Sequence, residues 1–293
     1  MELPHITDKQ QEILKLLYKY RFLNRIQIQQ LMNHKDKKRI IAWLKDLREK
    51  QCAEWIYSTN FLEKTKPAIY YLSLNGIRFL RAFVWSDGSG RVYPIEGLRK
   101  RYKEKGRSRT FIDRSLLIAD CCLTLERASC TSKSDAGNSV SYAYITESDY
   151  ADPDHAHHFL AEHESLRPNL YIIKTDRKSN GKVTTNYLLE IFDSTLPDYR
   201  LRFRLKAYFK YLIEGDWEAE TGDDNPPVIL LVYPKLADLI NAKRRIRKLL
   251  LDEYYEAADM PKNLHIRFTT TEQLQQQSIT APIWEERKRQ ISI

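Results

Sequence analysis

The sequence predicts an α+β protein in two parts. The first is a small set of helices closed by a hairpin. The second is a larger three-layer α/β part with a mixed sheet. Three observations predict this. Apolar residues recur at helical spacing through the first fifty positions, and two short strand-like runs follow at once. Beyond about residue 110, helical and strand-like runs alternate. The chain has 293 residues, 42% of them hydrophobic, with few Gly or Pro, so it can bury a core in one large domain or two ordinary ones.

The N-terminal elements are justified one by one. Thr7-Asp8-Lys9-Gln10 reads as a capping box, and Ile13, Leu14, Leu16, Leu17 and Tyr20 follow at helical spacing. Residues 21–24 make a short break. A second helix spans about 25–32 and buries Ile28 and Leu31. Asn33-His34 is a turn. A third helix spans about 35–51, with Ile40, Ile41, Leu44 and Leu47 inward and Lys35, Lys37, Lys38, Arg39, Lys45 and Arg48 on its other faces. Strand-like runs at 53–57 and 68–72 flank a loop containing Glu63, Lys64, Lys66 and Pro67. Residues 75–84 read as a closing helix. Three helices and then a two-stranded hairpin is the order of a winged helix-turn-helix, in which the third helix enters the major groove of duplex DNA and the hairpin loop touches the backbone. Lys37, Lys38 and Arg39 are the leading contact candidates. Asn33, His34 and Trp43 lie beside them, although a tryptophan there more often packs in the core.

Charge supports a polyanionic partner. The formal net charge is +9, with a pI of about 9.2. The excess is uneven: no Lys or Arg occurs between Lys133 and Arg167, whereas Glu147, Asp149, Asp152, Asp154, Glu162 and Glu164 do. Residues 86–90 form a Gly/Ser break, and 99–109 form a basic run that includes Arg99, Lys100 and Arg101. The segment 86–109 therefore reads as a basic linker of the kind that tracks phosphates. Cys52, Cys121, Cys122 and Cys130 include no CxxC pair, so reduced thiols are expected rather than a disulfide framework or a zinc site. The N-terminus lacks the pattern of a signal peptide, and the longest apolar runs are too short to span a bilayer, so a cytoplasmic location with no membrane partner is expected.

The second part reads as a helix over about 110–129, a strand over 139–145, and two strands at 170–175 and 187–192 joined by a hairpin loop at 178–182. A basic, aromatic helix follows at 197–214. After it come a buried-type strand at 228–233, a helix at 236–255, a strand at 264–268 and the start of a terminal helix at 271–277. Helix, three strands, helix, strand is the order of the restriction-endonuclease-like fold, whose carboxylates converge on one sheet edge to hold a divalent ion that activates water. The stretch from Asp152 through His155, His157 and His158 to Glu162, His163 and Glu164 contains metal-ligand types. Its spacing fits no standard zinc motif, and it reads as a solvated acidic loop. No phosphate-binding Gly-rich loop, nucleophile elbow or dinucleotide fingerprint is present, which removes ordinary ATPase, hydrolase and oxidoreductase readings.

The capped helix at Thr7–Leu17, the run Tyr70-Tyr71-Leu72-Ser73-Leu74-Asn75-Gly76, then Leu166-Arg167-Pro168-Asn169, and Leu188-Leu189-Glu190-Ile191 before a Tyr/Arg-rich helix resemble the replication-relaxation family of bacterial plasmids and mobile elements. The resemblance covers about residues 7–235. It implies a winged helix plus a divergent restriction-endonuclease-like domain, and a role in plasmid replication or conjugative DNA processing. The chain departs from the family pattern where metal would bind. Pro168-Asn169 stands for Pro-Asp, and Glu190-Ile191-Phe192 stands for Glu-x-Asp. Asp193 would fall on the opposite face of a strand from Glu190. Glu190 is then the sole carboxylate of the motif, poor for Mg2+, and the domain reads as an inactive nuclease-like module.

The sequence thus predicts residues 1–85 as a winged-helix DNA-binding domain able to fold alone, 86–109 as a basic linker, and 110–293 as the nuclease-like domain. The expected function is a sequence-specific duplex-DNA-binding accessory protein, with the second domain serving dimerisation or partner binding. The implied partners are double-stranded DNA, a relaxase or replication initiator, and a second copy as a homodimer. DNA contacts are expected from Lys35, Lys37, Lys38, Arg39, Lys45, Lys64, Lys66, Arg99, Lys100 and Arg101. No cofactor or metal is expected. Two alternatives stay open: a Mg2+-dependent endonuclease using Glu190, and a transcriptional repressor. The basic helix at 197–214 is a second DNA face or a packing helix with an exposed basic side.

Overall fold

The computed structural model describes residues 3–57, 65–82, 98–99, 101–131, 139–162, 166–178, 181–193, 198–253 and 264–286. Within them lie eleven helices and two sheets, a mixed α+β architecture. The chain divides into two units: residues 1–123 with 148–155, and residues 124–147 with 156–293.

In the first unit, α1 (Asp8–Tyr20) begins at the capping box expected from the sequence. Thr7 accepts from the Gln10 backbone N–H, and Gln10 Oε1 accepts from the Thr7 N–H at 2.9 Å. Gln10 is itself buried and donates through Nε2 to Asp46 at 2.5 Å, which fastens α1 to α3 (Lys37–Glu49). Arg21, at φ 70°, ends the helix and turns Phe22 into the core. The segment read as a break is in part a strand: β1 (Leu23–Asn24) pairs antiparallel with β3 (Ile69–Leu72). Asn24 then caps α2 (Arg25–Leu31) through a second capping box with Gln27. Asn33, at φ 47°, makes the turn, and Asp36 caps α3. α3 thus starts two residues later than the charge pattern suggests, because Asp36 accepts from the N–H groups of Lys38 and Arg39.

Strand β2 (Ala53–Ile56) completes a three-stranded antiparallel sheet in the order β1-β3-β2. α4 (Leu74–Ala82) follows β3. The Ser-Leu-Asn-Gly run that starts it is structural. Asn75 donates to the Lys50 carbonyl at 3.0 Å, and a Cβ on Gly76 would lie 2.1 Å from the Cys52 carbonyl oxygen. Every residue of β3 is buried, because the sheet is covered on both sides. Phe22, Ile69 and Tyr71 pack with Ile112 of α5 (Arg109–Thr131), joined by Ile56, Phe111 and Leu116. Gln27 binds α5 as well, donating to Asp120 at 2.7 Å and to the Leu116 carbonyl at 2.9 Å.

The first half of α5 packs on this sheet beyond the boundary expected at residue 85. One expectation is corrected. The described part of the basic run at 99–109 is not a free linker, since Arg101 and Glu104 are buried within the first unit. The thiols of Cys52 and Cys121 are buried and free, and burial pushes them up to about 11 and about 12. Cys122 is also buried, and Cys130 is exposed.

The second unit holds a six-stranded mixed sheet in the order β4-β5-β6-β7-β8-β9. Strands β4 (Ser139–Thr146), β5 (Leu170–Lys178) and β6 (Gly181–Ile191) form an antiparallel meander. Strands β7 (Val228–Tyr233) and β8 (Ile266–Thr270) add in parallel, and β9 (Glu285–Glu286) closes the sheet antiparallel. α5, three strands, a helix and a parallel strand follow the order the sequence predicts. Strands β5 and β6 run further toward their hairpin than the apolar pattern indicates, because residues 181–184 are exposed and polar-rich yet fully paired. Two short helices, α6 (Glu147–Tyr150) and α7 (Phe159–Glu162), lie between β4 and β5 in sequence. α8 (Asp198–Ile213), α9 (Asp216–Thr221), α10 (Leu236–Glu253) and α11 (Thr271–Gln276) complete the helices. Both parallel crossovers, β6-α8-β7 and β7-α10-β8, place their helices on one sheet face if right-handed, and α8 and α10 do pack together.

Candidate nucleic-acid interface

α3 buries Ile40, Leu44 and Leu47 and turns its other side to solvent. Lys37, Lys38 and Arg39 are all exposed in its first turn, and Lys35 is exposed just before the cap. Arg39 Nε lies 3.8 Å from Asp36, an exposed pair that leaves the guanidinium accessible. The two backbone N–H groups on Asp36, from Lys38 and then Arg39, hold its carboxyl below the ordinary range. Lys45 is exposed further along the helix, 3.8 Å from Glu49. Ile41, expected inward, is instead 45% exposed and sits on the same outward side between Lys38 and Lys45. His34 meets the half-buried Trp43 edge-on at 5.0 Å, so Trp43 serves packing.

The basic stripe continues onto the hairpin through residues that charge counting missed. The Arg48 guanidinium lies 3.4 Å over the Trp55 ring, and Trp55 stacks on Tyr57 at 5.8 Å. Both rings are nearly half exposed, at 42% and 48%. Their signal in the sequence is the alternation of β2, which places Trp55 and Tyr57 on one face. Lys66 is exposed at the base of the hairpin. It lines a shallow cleft with Asn24, Tyr57, Pro67 and Arg109. α3 and the hairpin thus expose several cations, one aliphatic side chain and two rings. Such a surface can neutralise phosphates and pack against base edges.

The remaining expected contacts divide. Arg99 is exposed. Lys64 and Lys100 lie outside the described residues. Arg101 is 5% exposed and is corrected: it donates to the Tyr18 carbonyl at 2.9 Å and to Ser148 Oγ at 2.7 Å, so it braces the fold and is not presented to a duplex.

Glu190, on β6, is buried, and its Oε1 accepts from Arg204 and, at 2.6 Å, from the Tyr208 hydroxyl, both on α8. Arg204 also donates to the Arg167 carbonyl at 2.7 Å. Asn169 uses its amide oxygen to accept from the Ile191 N–H at 2.7 Å, and its own N–H donates to the Leu189 carbonyl. Phe192 is buried against Tyr233, with ring centroids 5.1 Å apart. Burial, and then the nearby Glu190, pushes the Tyr233 hydroxyl upward. Glu190 is therefore held by a guanidinium and a phenol hydroxyl, and the Asn169 amide oxygen is spent on the backbone. Among the described residues no group of three or more His, Cys, Asp or Glu is arranged to hold a metal ion. Glu162 is exposed; His163 and Glu164 lie outside the described residues. His157 packs on Tyr171 at 5.2 Å.

On α8, Leu205, Tyr208, Phe209, Tyr211 and Leu212 are buried, so its inner side packs. Its open side carries Arg202 and Lys210 with Tyr199 and Phe203, the last two 68% and 62% exposed. No described helix is long and apolar enough to cross a membrane.

Together these features make a two-unit α+β protein with a cationic, aromatic surface on a helix-plus-hairpin unit. Comparison with protein families and with curated proteins finds no match. Among solved structures, the chain is similar to "Crystal structure of T. acidophilum IdeR", with 15% identity and a TM-score of 0.22 over 62% of this chain and 93% of that one. At that TM-score the likeness carries no argument.

Proposed function

We propose that this chain is a sequence-specific double-stranded DNA-binding accessory protein. Its α3 reads the major groove, and its hairpin contacts the backbone. The observation that carries the reading is the exposed basic side of α3, with Lys37, Lys38 and Lys45 around Ile41, beside Arg48 stacked on Trp55 of the following hairpin, with Arg39 exposed in the same first turn. The ammonium groups supply sequence-independent attraction, and Arg39 and Arg48 are suited to base edges. Glu190, held by Arg204 and Tyr208, supports a second unit that has lost metal chemistry and retains a scaffold role in dimerisation or in binding a partner such as a relaxase or replication initiator. A single winged helix reads a short half-site, so a homodimer on an inverted repeat is the fitting assembly. The resemblance to the replication-relaxation family supports a setting in plasmid replication or conjugative DNA processing.

The test is a titration of full-length protein against tiled duplex fragments across a range of salt, with and without Mg2+, with the products run on a denaturing gel. Tight binding to one fragment with intact strands is expected. Changing Lys37, Lys38 and Arg39 together to Ala is expected to weaken binding and to flatten the slope of log K against log salt by about 2–3, near 0.9 for each phosphate no longer neutralised. An unchanged slope overturns the α3 assignment. Metal-dependent nicking that disappears in Glu190→Ala would make the protein an endonuclease instead.

A further inference from the structure

We propose that the second unit binds single-stranded DNA on the outer sides of α8 and α10, with exposed rings that stack on unpaired bases and cations that follow the phosphates. Strands β6, β7 and β8 are parallel, and α8 and α10 are the connections between them, so both helices start at the same end of the sheet. They also pack against each other, so their outer sides lie side by side. Helical spacing sets what those sides display. On α8, Tyr199, Phe203, Lys206 and Lys210 follow one another at four, three and four residues and share one side, with Arg202 at its border. Tyr199, Phe203, Arg202 and Lys210 are all exposed, and the two rings stand about 6 Å apart along the helix axis. On α10, Leu236 and Ile240 repeat that spacing in the first turns, also exposed. Further along α10, Arg244, Arg247 and Lys248 are exposed, while Leu239, Ala242, Ile246 and Leu249 are buried on the inner side. Lys243 turns away from this surface, over the Phe268 ring at 5.3 Å and paired with Glu285.

Charge and ring exposure together select the occupant. Between Tyr199 and Ile213, α8 has no acidic residue. Glu214, just past its end, lies 3.8 Å from Lys210 in an exposed pair, which offsets little of the field. A polyanion therefore fits this side. A duplex hides its base faces in the stack, so the two rings would add nothing to it. An interfacial membrane helix needs an unbroken apolar side to sink, whereas Lys206 and Lys210 follow the rings on the same side and the other apolar residues of α8 are turned inward. An acidic protein surface would use the cations but not the rings. A single strand uses both, because every base has a face to stack and the backbone is tracked by Lys and Arg. α8 contains no Ser, Thr, Asn or Gln with which to hold a ribose 2′-hydroxyl, which favours DNA over RNA. The surface belongs to a different unit from α3 and does not rest on the α3 reading.

The experiment uses full-length protein and a labelled oligothymidine strand, with binding followed by fluorescence anisotropy across a range of salt. Changing Tyr199 and Phe203 together to Ala is expected to weaken strand binding about fivefold or more for each ring lost, with the salt slope unchanged. Tyr199→Phe with Phe203→Tyr keeps both rings and is expected to keep the affinity. Arg244→Gln with Arg247→Gln is expected to flatten the slope of log K against log salt by about 1.4, near 0.7 for each phosphate no longer neutralised. All four side chains are exposed, so each variant should melt as wild type does, and the changes on one helix keep the test open should those on the other fail to fold. No strand binding by wild type, or binding that both pairs of changes leave intact, overturns the proposal. An oligouridine strand bound more tightly than the DNA strand, and lost in the same variants, gives the surface to RNA and overturns the DNA assignment. Binding to phosphatidylcholine–phosphatidylserine vesicles that depends on Tyr199 and Phe203, with none to the strand, gives it to a membrane and overturns it as well. A protein that binds the strand through these rings but binds no duplex overturns the α3 reading alone, so the two failures are distinguishable.

Discussion

At the residue scale, short polar motifs prove to hold backbone rather than to do chemistry. Asn169 accepts from the Ile191 N–H, and Asn75 donates to the Lys50 carbonyl. Gly76 is the sharpest case, because its missing side chain leaves room for the Cys52 carbonyl. Gly76→Ala places a methyl group against backbone that cannot yield, and is expected to cost about 2–3 kcal/mol of stability in a denaturant melt. Duplex affinity measured well below the transition should not change, since Gly76 faces the interior. Glu190 teaches the same lesson. A carboxylate at a sheet edge has the type a nuclease needs, but its partners make it one half of a buried ion pair.

At the element scale, α3 joins stability to recognition through Asp36. The carboxyl is depressed because it accepts from the first-turn N–H groups, so its contribution is present above the unfolded carboxylate range and is lost as pH falls through the folded value. Asp46, lowered by Lys50 and then by Gln10, adds to the same trend further along the helix. Protection of the Lys38 and Arg39 amides, taken relative to their intrinsic exchange rate at each pH, is expected to fall as the solution is acidified below the ordinary carboxylate range. Asp36→Asn keeps a capping oxygen without a titrating proton and should remove most of that pH response at this end. An identical pH profile in Asp36→Asn would show that the cap is not its source. The cap also explains why the helix starts after Lys35: that residue has the right charge, but the first helical turn begins where a side chain can accept from the backbone.

At the scale of the whole molecule, the division into units revises where a DNA-binding fragment should be cut. Phe22, Ile69 and Tyr71 meet Ile112 on α5, and Gln27 is tied to the same helix. A fragment of residues 1–85 is expected to expose that apolar face and to melt about 10 °C or more below the full chain, as a loss of about 2 kcal/mol would give in a domain of this size, or to aggregate. A fragment of residues 1–155, the shortest continuous piece that holds both parts of the first unit, should melt cooperatively and keep duplex binding. Thermal melts and anisotropy on the two fragments decide the matter, and equal stability would return the boundary to residue 85.

Capping boxes, helical periodicity and strand alternation act within a few residues of chain. The α+β class, the helix order, the basic α3 face and the strand succession of the larger sheet are therefore legible in the amino-acid order alone. The cap at Thr7 and Gln10 is legible because both partners of each hydrogen bond are three residues apart. Other features exist only once the chain has folded. Arg101 belongs by composition to a solvated basic run and is buried, and Ile41 falls at an inward spacing and faces out. Trp55 and Tyr57 become a surface only when Arg48 folds across them. Each of those outcomes depends on groups outside the local stretch. A charged or aromatic residue carries no local mark of the partner that will cover it, and burial and pairing are settled when distant segments compete for the same surface.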